Sequence, residues 1–318
     1  MTDPHTVFFW LASAYAAVGV GVLSALLTRA WTRRRGGVAT AAESAWCALL
    51  PAVSLLLLPL SARHPHLFQL PDLHAAWHGW ERTLHAEPAA HGALHAANSV
   101  LLLLGAFFFA RTVYTVAKLR TFATAVRAAS ELQPEPFEGA NLYTIPSRRP
   151  LCFTMGVFRP AIYVTAGLRQ QLSQRDCAAM LAHESAHIRR RDNLVKLLLT
   201  LFYALFPLPG CGLLLRDWRQ AAERECDAAA AHHVGSAADV AAALVRTARV
   251  MARSSTETPG GACFAAFEDD LDGRVQALLT CSPLSRRPLS MPPMVLGLGL
   301  LIIASSWLHH AVEMFVRH

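Results

Sequence analysis

Long runs of apolar residues constrain the fold of this chain more than any other feature of its sequence. Hydrophobic residues make up 53% of the 318 residues and charged residues only 16%, against about 25% charged in typical globular domains. A helix needs roughly 20 apolar residues to cross a bilayer, where its backbone must satisfy its own hydrogen bonds. We therefore predict a mostly α-helical integral membrane protein with about four transmembrane helices, at residues 7–28, 45–60, 96–116 and 294–312.

Basic residues indicate how these helices are oriented. They cluster at residues 29–35, 118–127 and 286–287, and all three clusters face the cytoplasm if the N-terminus lies outside. This predicts a multi-pass protein of the bacterial cytoplasmic (inner) membrane with its largest polar domain inside the cell. We expect three parts: a three-span region at 1–120, a cytoplasmic domain at 121–290, and a last helix with a short tail at 291–318.

The charge and cysteine content indicate which kinds of molecule this chain would bind and whether it is held together by disulfides. The net charge of +7 comes largely from arginines beside apolar runs, and no nucleic-acid-binding motif accompanies them. We expect contact with membrane lipid and no direct binding of nucleic acid. The seven cysteines are dispersed without CxxC pairs, which argues against a disulfide framework. Because no basic segment precedes the first apolar run, we predict a permanent anchor there and not a cleaved signal peptide.

The segment between the second and third predicted spans, residues 61–95, is rich in histidine and would lie outside the cell. Because histidine titrates near pH 6.5 and binds metals, one interpretation is a sensor of metal or acidity. The alternative is an amphipathic loop whose tryptophans and histidines lie at the lipid headgroups. We favour the interfacial interpretation and leave the sensing role open.

The predicted cytoplasmic domain combines helices with a small β-sheet. Two β-like runs, 141–145 and 158–165, are separated by a segment rich in turn residues. Ser173 begins a helix that runs to residue 190, and Asp176 at the third position completes a capping box. The other predicted elements are helices at 121–132, 221–232 and 237–253 and a polar loop at 254–261.

The capped helix carries the sequence HESAH at residues 183–187, an HExxH motif. Residues four apart lie on one face of a helix, so both imidazoles can bind the same ion. In such sites the ion is zinc, which lowers the pKa of a bound water to about 7, and the glutamate takes the proton of that water. The motif predicts His183 and His187 as ligands of one Zn2+ and Glu184 as the general base.

A catalytic zinc ion needs a third protein ligand and one open position. Downstream, Glu223 and Asp227 are four residues apart and share a helical face in an alanine-rich segment. We predict Glu223 as the third ligand and Asp227 as a carboxylate behind the ligands that orients a histidine N–H. Asp192 is a weaker candidate for the same orienting role, or else a surface partner of the neighbouring arginines. The competing interpretation of residues 223–227 is an ordinary solvated helix.

A further apolar run, residues 194–215, lies between the two metal-binding segments. A single crossing of the membrane there would place Glu223 on the opposite side from the histidines. The run is interrupted by PLPG at 207–210, which leaves arms of about 13 and 12 residues, too short to span a bilayer. We therefore predict a re-entrant or membrane-surface hairpin that returns Glu223 to the histidines.

Three segments in this order resemble the BlaR/MecR-type membrane metallopeptidases: TMGVFRPAIY at 154–163, HESAHIRRRDN at 183–193 and ERECD at 223–227. The resemblance covers about residues 96–290, and the predicted layout of three preceding spans and one following span also matches. It implies a cytoplasmic, gluzincin-like zinc peptidase domain. It further implies a role in regulated proteolysis and signal transduction, with a winged-helix repressor of the BlaI/MecI kind as the protein substrate.

In this resemblance His183, His187 and Glu223 occupy the zinc-ligand positions and Glu184 the catalytic position. One departure concerns the stimulus. Receptors of the family carry a penicillin-binding sensor after the last span, whereas this chain ends at His318, shortly after the last predicted helix. β-Lactam sensing is therefore not implied, and the inducing signal is left open, as is the formation of a homodimer.

Two other functions are compatible with these motifs. A membrane quality-control or prenyl-protein-type protease shares HExxH and a later ExxxD motif. A non-proteolytic receptor with structural zinc would use four protein ligands, and Cys226 could complete such a site. The strand at residues 160–165 could present a free edge to which an extended substrate adds as a further strand, or it could be ordinary sheet structure. For the group that stabilises the tetrahedral oxyanion, three candidates stay unassigned: His232, Arg219 and Tyr203.

Overall fold

The computed structural model describes residues 4–34, 40–63, 88–255 and 271–280, and these residues fold into two compact units. The first unit contains the described residues up to Thr115 together with Leu199–Arg216. The second contains Val116–Leu198 and the described residues from Asp217 onward. All the predicted metal-binding residues belong to the second unit.

Helices α1 (Pro4–Arg34) and α2 (Ala41–Arg63) cover the first two predicted spans. The helices approach closely at a glycine: a Cβ added to Gly21 would lie 2.5 Å from the Cα of Pro51. Only a residue without a side chain allows this contact. A capping box begins α2, in which the Thr40 hydroxyl accepts from the Glu43 N–H at 3.2 Å and the Glu43 carboxylate accepts from the Thr40 N–H at 2.8 Å.

Helix α3 (Pro88–Ala128) is 41 residues long, which corresponds to about 60 Å. Within the described residues, its segment Leu102–Ala128 is the one helix long and apolar enough to cross a membrane. Large apolar side chains are exposed along it: Leu103, Phe107, Phe109, Val113, Tyr114 and Phe122. Such an uncovered apolar surface suits lipid. The third predicted span is therefore helical, and it continues without a break into the predicted helix at 121–132. That helix ends at Ala128, and the prediction is wrong for residues 131–132, which form a short strand.

Several predicted features lie outside the described residues. These are the last span, at 294–312, most of the histidine-rich loop, at 64–87, and most of the polar loop, from residue 256 onward. The final residues of the histidine-rich segment, 88–95, are helical and form the first turns of α3.

The second unit is built on a mixed four-stranded sheet in the order β1-β2-β4-β3. The strands are β1 (Glu131–Leu132), β2 (Leu142–Ile145), β3 (Cys152–Met155) and β4 (Ala161–Thr165). β2 and β4 are parallel, and the other neighbours are antiparallel. β3 was not predicted, because its residues were expected to form turns. The strand has only four residues, in a segment bounded by Pro150 and Gly156, so it is defined by its partner more than by its own sequence.

Of the two interpretations of residues 160–165, ordinary sheet structure is confirmed and the free edge is wrong. β4 occupies the interior of the sheet, because it pairs with β2 on one side and β3 on the other. Within the described residues β3 has one strand partner and forms the edge. A row of aromatic rings crosses these strands, with Tyr163 stacked at 5.0 Å on Tyr143 and at 5.6 Å on Phe153.

Helix α4 (Ala166–Gln171) follows the sheet and leads to α5 (Gln174–Arg190), which Ser173 caps as predicted. The Ser173 hydroxyl accepts from the Asp176 N–H at 3.2 Å and donates to the Asp176 carboxylate at 2.8 Å. The carboxylate therefore binds the hydroxyl, and not the backbone N–H that a capping box would use. Small residues of α5 pack into the core beside the sheet. This core contains Ala179 and Ala182 of α5, Ile162 and Val164 of β4, and Leu244.

Helix α5 ends in a way that brings its last histidine next to the following helix. Arg191 adopts the left-handed conformation, with φ of 57°, and its N–H binds the carbonyls of His187 and Ile188. Helix α6 (Asp192–Leu205) starts at the next residue. This sharp turn places Asp192 beside His187, one turn back along α5.

The apolar run breaks where PLPG predicted, between α6 and α7 (Cys211–Val234). Gly210 supplies a left-handed residue there, with φ of 94°. In the first unit the Tyr203 hydroxyl donates to the Ala48 carbonyl at 2.7 Å, and Phe206 packs edge-on against Tyr15. The predicted helix at 221–232 is the second half of α7. The remaining helices are α8 (Ala237–Ser255) and α9 (Leu271–Leu279).

Candidate metal centre

The two histidines of α5 face one carboxylate of α7. His183 Nε2 lies 3.3 Å from Glu223 Oε2, and His187 Nε2 lies 3.6 Å from Glu223 Oε1. The two Nε2 atoms are 3.2 Å apart. Ligand atoms about 2.1 Å from a tetrahedral zinc ion are separated by roughly these distances. The three side chains could therefore hold one ion with little movement.

Each histidine presents its other ring nitrogen to a buried carboxylate. His183 Nδ1 lies 2.9 Å from Asp227 Oδ1, in a contact that is close but not aligned as a hydrogen bond. His187 Nδ1 lies 2.8 Å from Asp192 Oδ2. Such carboxylates hold an imidazole so that its Nε2 faces a metal. Asp192 is buried and so is more than a surface partner of arginines, although it also accepts a hydrogen bond from Arg190 at 3.1 Å.

Glu184 is buried and lines the same cavity as the two histidines and Glu223. The cavity has a volume of about 140 Å³, enough for several water molecules. The rest of its wall is formed by Cys152, Met180, Thr247, Met251 and Arg274. Among the described residues the buried Thr247 hydroxyl has no hydrogen-bond partner. One side of the cavity is thus polar, where the two histidines and the two glutamates lie, and the rest of its wall is formed mostly by sulfur-containing side chains.

The donor set fits zinc. Two imidazoles and one carboxylate suit zinc, whereas magnesium and calcium prefer sites made of oxygen ligands alone. Three protein ligands beside an open space are also typical of catalytic zinc, since the fourth position is then available to water or substrate. Here the space is the cavity that Glu184 lines.

Charges around the ligands are strongly coupled. Burial lowers the pKa of His183, but Asp227 and Glu223 outweigh it and raise that pKa to about 10. Burial disfavours the charged form of Glu223, yet His183, Arg274 and His187 together hold its pKa well below the ordinary value. Despite burial, the pKa of Asp227 is lowered in the same way by Arg274 and His183, so Glu223 and Asp227 both stay ionised and require cationic neighbours. A divalent ion at the imidazole nitrogens would meet that requirement.

A family model described as BlaR1 peptidase M56 matches residues 10–278 of the chain, which is most of its length. The chain belongs to this family. Membership makes the protein a membrane-associated metallopeptidase and confirms the resemblance drawn from the three sequence segments. Searches among curated proteins and among solved structures found no match.

One buried charge of this BlaR1-type peptidase was not predicted from the sequence. Arg274 of α9 is only 4% exposed. Its Nε and Nη2 donate to Asp227 at 2.7 Å each, and its Nη1 lies 3.1 Å from Glu223 Oε2. A signal was present in the sequence, because a charge on the apolar face of a helix indicates a buried partner. That face of α9 carries Leu271, Val275 and Leu278.

His187, Asp192 and Cys226 form a second group of possible ligands within the described residues. This group would use His187 Nδ1, which is 2.8 Å from Asp192 and 3.3 Å from the Cys226 sulfur. Burial raises the pKa of the Cys226 thiol, and a thiol must lose its proton to bind zinc. A hydrogen-bonded orienting group is the better interpretation, so the arrangement does not favour a structural zinc site that includes Cys226.

The three suggested oxyanion donors are not among the residues that line the cavity. His232 and Arg219 are exposed. Tyr203 donates its hydroxyl to Ala48 within the first unit. The structure therefore does not support these three suggestions.

Proposed function

We propose that this protein is a membrane-bound zinc endopeptidase that acts in regulated proteolysis at the cytoplasmic face of a bacterial inner membrane. The observation that carries the proposal is the convergence of His183, His187 and Glu223, whose ligand atoms lie within 4.8 Å of one another on a cavity that Glu184 also lines. The four-span topology with the N-terminus outside belongs to the same proposal, because it puts this cavity on the cytoplasmic side.

Each residue has a distinct role in the proposed reaction. His183, His187 and Glu223 hold the ion, while Asp227 and Asp192 orient the two imidazoles. Zinc, when bound, supplies Lewis acidity toward the attacking water and the scissile carbonyl. Glu184 accepts a proton from that water and returns it to the amine that leaves. Its burial suits this work, since a carboxylate screened from bulk solvent exchanges its proton with the substrate in the cavity.

Strand β3 supplies an edge along which an extended peptide could bind. Because Leu151 accepts a backbone hydrogen bond from Thr165 at 3.0 Å, every second residue of β3 directs its backbone groups toward β4. Cys152 and Thr154 therefore direct theirs away from the sheet, and Cys152 also lines the cavity. A peptide added to this edge by strand addition would pass the metal centre.

Family membership supports a protein as the substrate. We propose a winged-helix transcriptional repressor of the BlaI/MecI kind, which would connect proteolysis to gene expression. The wall formed by Met180, Met251 and Cys152 would accept an apolar side chain of that substrate next to the cleaved bond. Methionine suits such a wall because its flexible thioether adapts to differently shaped side chains.

Glu184→Gln tests the proposal directly. The purified variant should bind one zinc ion per chain as the wild type does, yet lose proteolysis, because glutamine cannot accept the proton of water. Glu135→Gln, at an exposed position, is the matched control and should cleave normally. Comparing the proteomes of cells that carry the wild-type or the Glu184→Ala protein would identify the substrate. Continued cleavage by Glu184→Gln would refute the assignment of the base.

A further inference from the structure

Arg274 connects helix α9 to two carboxylates of α7, Asp227 and Glu223. Its guanidinium binds Asp227 with two nitrogens at 2.7 Å and approaches Glu223 with the third at 3.1 Å. Asp227 in turn lies 2.9 Å from His183 Nδ1. One buried cation thus reaches two of the three proposed zinc ligands, Glu223 directly and His183 through a single intermediate.

We propose that Arg274 is a positioning residue of the metal centre: it holds the Glu223 carboxylate and, through Asp227, the His183 ring in the orientations that bind zinc. This inference rests on the proposed function. Arg274 belongs to a helix that lies far along the chain from both metal-binding segments. Docking of α9 therefore completes the support of the ligands.

The geometry explains why an arginine serves here. A guanidinium offers a rigid, planar set of donors that matches a carboxylate with two parallel hydrogen bonds and leaves a further nitrogen for a second acceptor. Asp227 is 1% exposed, and a carboxylate so deeply buried needs a paired cation. Glu223 is about one-third exposed, so without Arg274 its side chain would have room to rotate away from the histidines.

Arg274 could instead weaken zinc binding, since it places a positive charge near a ligand oxygen. The two effects predict opposite signs. If charge repulsion dominates, removing Arg274 tightens zinc binding. If positioning dominates, removal loosens it, because Glu223 becomes mobile and Asp227 no longer fixes the imidazole. We expect positioning to dominate because Arg274 and a divalent ion together balance the charges of Glu184, Glu223 and Asp227.

The chain offers a matched control for a purely structural role. Arg246 of α8 also clamps a buried aspartate of α5 with two nitrogens, Nε at 2.9 Å and Nη2 in a shorter contact with Asp176. Neither Arg246 nor Asp176 lines the cavity. Arg246→Gln therefore removes the same kind of pair without touching the ligands.

The experiment measures zinc affinity of the full chain in detergent, by competition with a chelating dye, with thermal unfolding recorded in parallel. Arg274→Gln should weaken zinc binding about 10- to 100-fold, the usual effect of losing a residue that supports a ligand. Arg274→Lys should lose less, because it keeps the charge but not the planar fork. Arg246→Gln should lower the unfolding temperature and leave zinc affinity unchanged.

Three results would overturn the inference. The first is unchanged or tighter zinc binding by a folded Arg274→Gln variant, and the second is an equal loss of zinc affinity in Arg246→Gln. If Arg274→Gln does not fold, the third is wild-type zinc affinity in Arg274→Lys. Combining Arg274→Gln with Asp227→Asn should cost less than the sum of the single losses, because part of the effect passes through Asp227. A wild-type chain that binds no zinc would instead reject the proposed function itself.

Discussion

Asp192 is the carboxylate whose replacement tests most simply how zinc affinity depends on the residues behind the ligands. It accepts the Nδ1 proton of His187 over 2.8 Å and is buried. Asp192→Ala removes this acceptor, whereas Asp192→Asn keeps an oxygen that can accept the same proton without the charge. A hydrogen bond to a charged group contributes about 1.5–3 kcal/mol and a neutral one about 0.5–1.5 kcal/mol.

These energies convert into a graded loss of affinity, since each 1.4 kcal/mol or so is a tenfold change. We expect the zinc dissociation constant to rise about 10- to 100-fold in Asp192→Ala and about 3- to 10-fold in Asp192→Asn. Loss of Asp192 should not leave a buried cation unpaired. Arg190, its other partner, also forms an ion pair with Glu225, so the variants should stay folded.

The assay is competition for zinc against a chelator of known affinity, with metal content of the purified chain as a second measurement. Asp239→Ala serves as control. Asp239 forms an ion pair with Arg175 at an N–O distance of 2.6 Å, neither residue lines the cavity, and the arginine is mostly exposed. Wild-type affinity in Asp192→Ala would refute the reasoning. An equal loss in the alanine and asparagine variants would show that the charge of Asp192, and not its hydrogen bond, matters.

Two further predictions concern stability and substrate binding. Arg246 and Ser173 outweigh burial and lower the pKa of Asp176, so its stabilising effect is present above the unfolded-state pKa of about 3.9 and is lost as the pH falls through the lower folded-state value. Asp176→Asn should therefore lower the unfolding free energy at pH 7 by about 1 kcal/mol; the effect is modest because Arg246 is half exposed. In thermal unfolding experiments, the difference in stability between variant and wild type should shrink below about pH 4. A difference that stays constant with pH would contradict this prediction. Thr154→Pro removes a backbone N–H that points outward from the edge strand β3, and it should lower kcat/KM about 3- to 10-fold by raising KM. Thr154→Val keeps this N–H and should leave kcat/KM unchanged. Equal kinetics of the two variants would exclude peptide binding at this edge.

Local periodicity accounts for what could be predicted of the candidate site. The four-residue spacing puts His183 and His187 on one face of any helix, and Ser173 marks where that helix begins. The spacing of Glu223 and Asp227 works in the same way. The PLPG interruption argued against a single membrane crossing between the two segments. The histidine pair and the Glu223–Asp227 pair were therefore expected to lie on the same side of the membrane, where they could meet.

Other features were missed because they depend on partners distant in sequence. β3 is too short to be recognised without β4, and for the same reason the sequence left open whether residues 160–165 form an edge. Asp192 was ranked as a weak candidate because its burial follows from the left-handed turn at Arg191, a conformation uncommon for a non-glycine residue. Arg274 lies in a separate helix, and nothing local indicated that it would reach Asp227 and Glu223.

Backbone geometry and solvation act over a few turns, so the residues alone specify which side chains share a helical face, where helices begin, and that long apolar segments need lipid. Which helical face packs against which follows only from the folded chain. Burial of the α5, α8 and α9 faces in one core brings Arg274 to the carboxylates of α7. Long-range packing therefore sets the partners of each ligand, although local chemistry had already specified the ligands we propose.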